Sequence, residues 1–421
     1  MEQQKSYLLF VPLFIVLIVL STNVGQAQEL PFHGFVETAV GGRYNSPNYI
    51  DDDLSLSEIR AQLEYGTFLG PNGEFQVKAD FIKDTFSEET EMELREGYIW
   101  LYPSRNFELK AGRQILTWGT GDLVFINDLF PKDYQSFFIG RDQEYLKAPT
   151  NAIKASFFPQ GAILDLVVMP TFTPDEYITG QRLAYFNPAS DKMVTQDFSQ
   201  NVTEPAKDWS NMELALRFKK NYRGQELSFY SYRGFHKQPV AQSQGSSEMI
   251  FPALSVYGAS WRSRLLGGIT NAEVGYYDSR DDSNGTKATI PNDYLKWLVG
   301  YKKDLGNDWT LGGQYYVEKM QDYNNYKASL PGYEYLKDER RRVVTMRLTK
   351  ELYRKTLKLD LFTFYSPSSD DSYLRPTLSY DWTDNINLAA GGNIFLGETH
   401  YTKFGAMEDN SNLYLRLRYS Y

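Results

Sequence analysis

The chain ends Asn412-Leu-Tyr-Leu-Arg-Leu-Arg-Tyr-Ser-Tyr421, and these ten residues decide the fold class. Leu413, Leu415, Leu417, Tyr419 and Tyr421 fall on one face of an extended strand, with Tyr414, Arg416, Arg418 and Ser420 on the other. The alternation has period two without a slip. In a soluble sandwich the apolar face would pack on a second sheet. Here the opposite face carries two arginines, and the last residue is an uncovered aromatic. A closed barrel with lipid outside and water inside accommodates both faces and satisfies every backbone donor and acceptor.

Strands further back repeat the pattern. Met212, Leu214, Leu216 and Phe218 oppose Glu213 and Arg217; Leu295, Trp297, Val299 and Tyr301 oppose Lys296 and Lys302. Ile59, Ala61, Leu63 and Tyr65 alternate with Glu58, Arg60, Gln62 and Glu64 and precede the turn Gly70-Pro-Asn-Gly73, as a hairpin requires. Eight short turns alternating with nine longer polar loops predict a single all-β, antiparallel transmembrane β-barrel of about eighteen strands, between 16 and 20. The even count leaves both termini on the side of the short turns, the periplasmic side in such barrels. Pro376 argues against a strand over 372–382, because proline removes a ladder donor.

Composition agrees. The 421 residues have a mean hydropathy of −0.48, and beyond the N-terminus no apolar run approaches the roughly 20 residues of a membrane helix. A barrel escapes that test because its apolar residues alternate with polar ones. Aromatics make up 15% of the chain, enough to supply two interfacial girdles. Residues 1–27 read as a secretory signal peptide: Lys5, an apolar run from Tyr7 to Leu20, and small residues at Gly25 and Ala27 before a cleavage site. The barrel then occupies 28–421. Localisation in the outer membrane of a Gram-negative cell follows, with lipid and lipopolysaccharide as neighbours and no nucleic-acid partner. The absence of cysteine excludes disulfides and haem-attachment motifs.

The stretch between Leu94 and Asp133 is more specific. It contains Leu94-Arg-Glu-Gly-Tyr98, Ala111-Gly-Arg-Gln114, Trp118-Gly-Thr-Gly-Asp122, Asn127-Asp128 and Pro131-Lys-Asp133. This series resembles the motifs of alginate-export-like outer-membrane proteins, which implies an eighteen-stranded porin-like channel. The final strand likewise resembles the closing strand of bacterial outer-membrane proteins, which implies recognition by the barrel-assembly machinery.

Read physically, a hairpin centred between Ser104 and Arg105 sets Glu96 opposite Arg113. A charge facing lipid near mid-membrane costs about 2–4 kcal/mol. A bulge at the neighbouring Gly97 and Gly112 would turn both residues into the lumen. The loop from Leu116 to Pro149 is long and apolar, and can fold inward to narrow the channel with Asp122, Asp128, Asp133 or Arg141; a cap over the mouth is equally allowed. The loop over 170–208 is a candidate second lid.

Lumenal charge points to the solute. Positive and negative residues nearly balance over the first thirteen strands. The last five carry Arg341, Arg347, Lys358, Arg375, Arg416 and Arg418 against Asp360 and Asp381. Such a basic wall favours anions, and barrel closure places it beside Glu37. Arginine–carboxylate pairs that only brace the wall are the competing account.

The chemistry of catalysis is not visible. His33, His236 and His400 are scattered without metal-ligand spacing, and no nucleophile or nucleotide motif occurs. No enzyme, cofactor or metal is expected. The acidic runs at 51–53, 88–89, 281–282 and 370–371 read as solvated loop tips, with binding of divalent cations that bridge lipopolysaccharide as the alternative. The expected function is passive passage of small hydrophilic solutes, anionic ones or acidic saccharides among them. The alternative is a plugged, non-conducting barrel that anchors a surface polymer or sheathes a redox or secretion partner.

Overall fold

A computed structural model describes residues 32–421 apart from 46, 48, 51, 52, 87, 89, 189, 244 and 245. The expected signal peptide lies outside the described residues, as do parts of the acidic runs at 51–53 and 88–89. No helix of the described residues is long and apolar enough to cross a membrane.

The described residues form one closed sheet of 18 antiparallel strands in sequential order. The first strand, Phe32–Arg43, pairs with Leu54–Phe68 on one edge and with the last strand, Asn412–Ser420, on the other. Closure leaves no exposed strand edge. Connections of two to four residues alternate with the longer loops, as the turn pattern predicts.

The alternation of apolar and polar residues becomes outside and inside. Leu413 and Leu415 are 54% and 60% exposed on the outer surface, whereas Tyr414 between them is buried in the lumen. Aromatics ring both ends of this band: Phe68, Phe157, Tyr222 and Trp382 near the short turns, Phe81, Tyr276 and Tyr365 near the long loops. Such girdles place amphipathic rings at headgroup level.

Two local expectations are corrected. The hairpin after Tyr98 pairs Ser104 with Phe107, and an irregularity between Leu101 and Ser104, around Pro103, moves the register by one. Arg113 therefore lies opposite Gly97, and Glu96 is not its partner. A bulge does exist: Lys78 pairs with Glu96 and Ala79 with Leu94, which leaves Arg95 as the extra residue. Arg95, and not Arg113, is the arginine turned inward, and it is buried. Arg113 stays on the row of Ala111, beside Asn151, and donates from Nε to the carbonyl of Leu94.

The strand with Pro376 also forms, as Asp371–Asp381. Its ladder to Ile386–Gly397 skips from Leu374 to Thr377, so proline sits where that ladder is interrupted.

Candidate functional site

The loop after Ile115 runs into the lumen and crosses it. Its first half, with Trp118, Val124, Ile126 and Phe130, packs on Ala215, Val256, Leu298 and Val343 of one wall. Its second half folds into the short helix Tyr134–Ile139, whose Phe137 and Phe138 pack on Tyr373, Phe395 and Tyr414 of the opposite wall. The inward-folding alternative is the one realised.

Local sequence explains the shape of this strap. Asp133 caps the helix N-terminus by accepting from Ser136 N at 2.7 Å. Gly140 ends it with φ 98° against the ring of Tyr414, so near that a Cβ would overlap the ring. Gly258 on the facing wall similarly leaves room for the side chain of Asn127.

Polar anchors fix the strap around the lumen. Glu273 accepts from the backbone of Gly121 at 2.8 Å and from Asn127 Nδ2 at 2.9 Å. Tyr277 donates to the carbonyl of Ile126 at 2.6 Å. Gln314 accepts from Asp122 N at 2.7 Å. Arg347 forks onto Asp122 at 2.7 and 3.0 Å and also reaches Asp360 at 2.7 Å.

On the other side Arg141 donates to Glu58 at 2.6 and 2.9 Å, beside a buried Arg60 that bridges Glu58 and Asp80. Tyr145 donates to Asp80 at 2.8 Å, and its ring lies between the guanidiniums of Arg60 and Arg95 at 4.2 and 4.7 Å. Arg416 holds Asp142 at 2.8 Å, while Arg418 holds Glu37 at 2.8 Å and Glu144 at 2.9 Å.

The predicted basic wall thus divides into two sets. Arg347, Arg416 and Arg418 are bound to carboxylates and fasten the strap, so for them the bracing account holds. Asp128 braces as well, inside the loop, through Thr117 and Lys132. Arg375 and Lys358 make no hydrogen bond or ion pair among the described residues. The Arg375 guanidinium lies 4.2 Å from the ring centre of Phe137, and its Nε is buried without a partner. Arg341 faces Glu318 across the ladder, but Glu318 is engaged by Lys296 at 3.4 Å and by Tyr316, and Arg341 Nη2 has no partner.

The strap separates spaces that share this wall. Toward the long loops lies a cavity of about 490 Å³ bordered by Arg341, Lys403, Phe364 and Tyr373. Tyr177, Tyr185 and Phe198 of the loop over 170–212 also border it, so the second loop forms part of its roof. Toward the short turns lie cavities of about 230 and 120 Å³ that meet at Arg347 and Phe362, the larger bordered by Lys358, Arg375 and Arg416. Successive inward positions on one strand, Tyr373 then Arg375, pass from the upper cavity to the lower.

Sequence reasoning missed Glu273, Gln314 and Tyr145. Each is an ordinary member of a polar row or loop, and only the path of the strap gives it a task. No group of three or more metal-ligating side chains occurs among the described residues. Glu96 lies on the lumenal row of Tyr98, and Arg113 lies three residues before the strap, outside the cavities.

A closed eighteen-strand barrel with an apolar outer band and an inward loop is the architecture of outer-membrane porins. Among solved structures the chain is similar to OccD3 (OpdP) of Pseudomonas aeruginosa, with 11% identity, 94% of this chain and 92% of that chain covered, and a TM-score of 0.53. Weaker likenesses are the outer membrane channel DcaP of Acinetobacter baumannii (11% identity, 93% and 96% covered, TM-score 0.46) and OmpF of Salmonella typhi in complex with daunomycin (8%, 93% and 97%, 0.47). At such identities the likeness is one of fold. No protein-family model and no curated protein matches the chain.

Proposed function

We propose that the barrel is a passive outer-membrane channel for small hydrophilic anions, narrowed by the strap from Leu116 to Ala148. The observation that carries this reading is the pair of unpartnered cations on one wall, Arg341 above the strap and Arg375 beneath it, with Lys358 next below. Cations left free along a pore wall attract anions at short range, whereas braced ones do not. The motifs shared with alginate-export-like proteins support the same reading. Gln114 anchors the strap's entry through Ala152 O at 2.9 Å, Asp122 holds Arg347, Asn127 holds Glu273 and Asp133 caps the helix. Four residues of the motif series thus help to build the constriction, which supports a relation to that group.

The tight apolar docking of the strap on both walls favours a second reading, a plugged barrel that serves as an anchor or sheath. Swelling of liposomes that contain the purified chain separates the two. The channel reading expects entry of glucuronate, slower entry of glucose and slowest entry of glucosamine. No entry of any solute establishes the plug, and fastest entry of glucosamine contradicts the anion preference.

A further inference from the structure

The upper cavity has a chemistry of its own. One wall is a packed aromatic cluster: the buried Tyr373 is stacked between Phe364, at 5.7 Å and 6°, and Phe395, at 4.5 Å, and Phe404 lies 5.5 Å from Phe364, which leaves Phe364 as its partly exposed ring. Phe137 and Phe138 close it from the strap, and Tyr177 and Phe198, stacked at 5.9 Å, from the second loop. Apart from tyrosine hydroxyls, Gln238 is its one uncharged side chain able to form hydrogen bonds, and it already donates to Asp175 at 3.2 Å.

The hydroxyls of Tyr316 and Tyr373 are likewise taken, by Glu318 and by Asn393 at 2.7 Å. A saccharide, whose many hydroxyls each need a partner, would find only the hydroxyls of Tyr134, Tyr177 and Tyr185 and the few charged side chains, against a lining that is otherwise apolar. The charged lining is three cations, Lys296, Arg341 and Lys403, against the single carboxylate of Glu318, which Lys296 and Tyr316 engage directly and which faces Arg341 across the ladder, with Asp371 also acting on Lys403. A largely apolar box whose lining cations outnumber its one carboxylate suits a ligand with a hydrophobic body and one anionic end.

We propose that this cavity is a binding site for amphipathic monoanions, aryl or arylalkyl carboxylates in chemical class, with the carboxylate between Arg341 and Lys403 and the ring against the partly exposed Phe364, Tyr177 and Phe198. The site rests on the channel reading and adds amphipathic anions, which it binds, to the small hydrophilic anions that pass. Its test measures binding, which does not depend on conduction.

Calorimetric titration of the full chain in lipid nanodiscs with 3-phenylpropionate, glucuronate and 3-phenylpropan-1-ol isolates the two features. Phenylpropionate is expected to bind at least about tenfold more tightly than either of the others, because each lacks one half of the recognition. Arg341→Gln and Lys403→Gln are each expected to weaken phenylpropionate by about tenfold, the scale of one charge-assisted hydrogen bond. Retained heat-modifiable gel mobility verifies that each variant is folded. Lys403, in the loop between the last two strands and outside the strand ladder, gives the informative variant should Arg341→Gln fail to assemble. Equal or tighter binding of glucuronate, or affinity unchanged by Lys403→Gln, overturns the proposal.

Discussion

Arg375 and Lys403 contribute positive charge on opposite sides of the strap, and they respond to different experiments. Arg375 sits under Phe137 with no carboxylate to answer it, so Arg375→Gln should lower anion over cation permeability while leaving the strap in place. Arg347 differs because Asp122 and Asp360 already neutralise it. A double-mutant cycle of Asp122→Asn and Arg347→Gln should therefore give a coupling of about 1 kcal/mol in urea unfolding, the usual size for a partly exposed pair. Zero coupling would mean that the strap is not fastened there.

Lys403 supplies a pH dependence. Withdrawal from bulk water and the neighbouring Arg341 lower its ammonium to about 8, with Lys296 acting in the same direction and Glu318 and Asp371 opposing. It is charged at pH 6.5 and largely neutral at pH 9.5, so anion preference should fall across that interval, and Lys403→Gln should flatten the change. A preference that rises with pH would assign the titration to another group.

Among elements, the strap departs most from what the sequence displays. Strands were legible because one residue in two faces lipid, so Leu413, Leu415 and Leu417 announce their side without help from any partner. Closure of the last strand onto the first, near Glu37, was legible for the same reason. Register within one hairpin was not. Pro103 perturbs the turn, the one-residue slip moves Arg113 from Glu96 to Gly97, and Arg95 becomes the bulged residue. The loop's inward course could be anticipated from Trp118, Phe130 and Phe138, which are too apolar for a solvated loop. Its anchors could not, because Asp122 meets Arg347 only through the curvature of the whole barrel. Gly140 tests the element directly. With φ 98° and the ring of Tyr414 against it, Gly140→Val should displace the helix Tyr134–Ile139 and alter single-channel conductance, while the closed strand ladder preserves heat-modifiable mobility. Unchanged conductance would show that this helix does not narrow the path.

The whole molecule joins its ends through a charged seam. Glu37 on the first strand is buried between Arg416 and Arg418 on the last, and the same arginines hold Asp142 and Glu144 of the strap. Glu37→Gln should cost about 1–3 kcal/mol of unfolding free energy, the penalty for leaving buried charged donors without their acceptor. The barrel's last ten residues thus close the sheet and carry two of the strap's fastenings.

The central claim is that the wall beside the strap, with Arg341, Arg375 and Lys358 free, makes this barrel an anion-preferring channel. Its most direct test is the reversal potential of the purified chain in a planar bilayer under a potassium chloride gradient. The account predicts a potential whose sign reports chloride over potassium, diminished by Arg375→Gln. A potential reporting potassium preference, or a bilayer with inserted protein and no current, would contradict it.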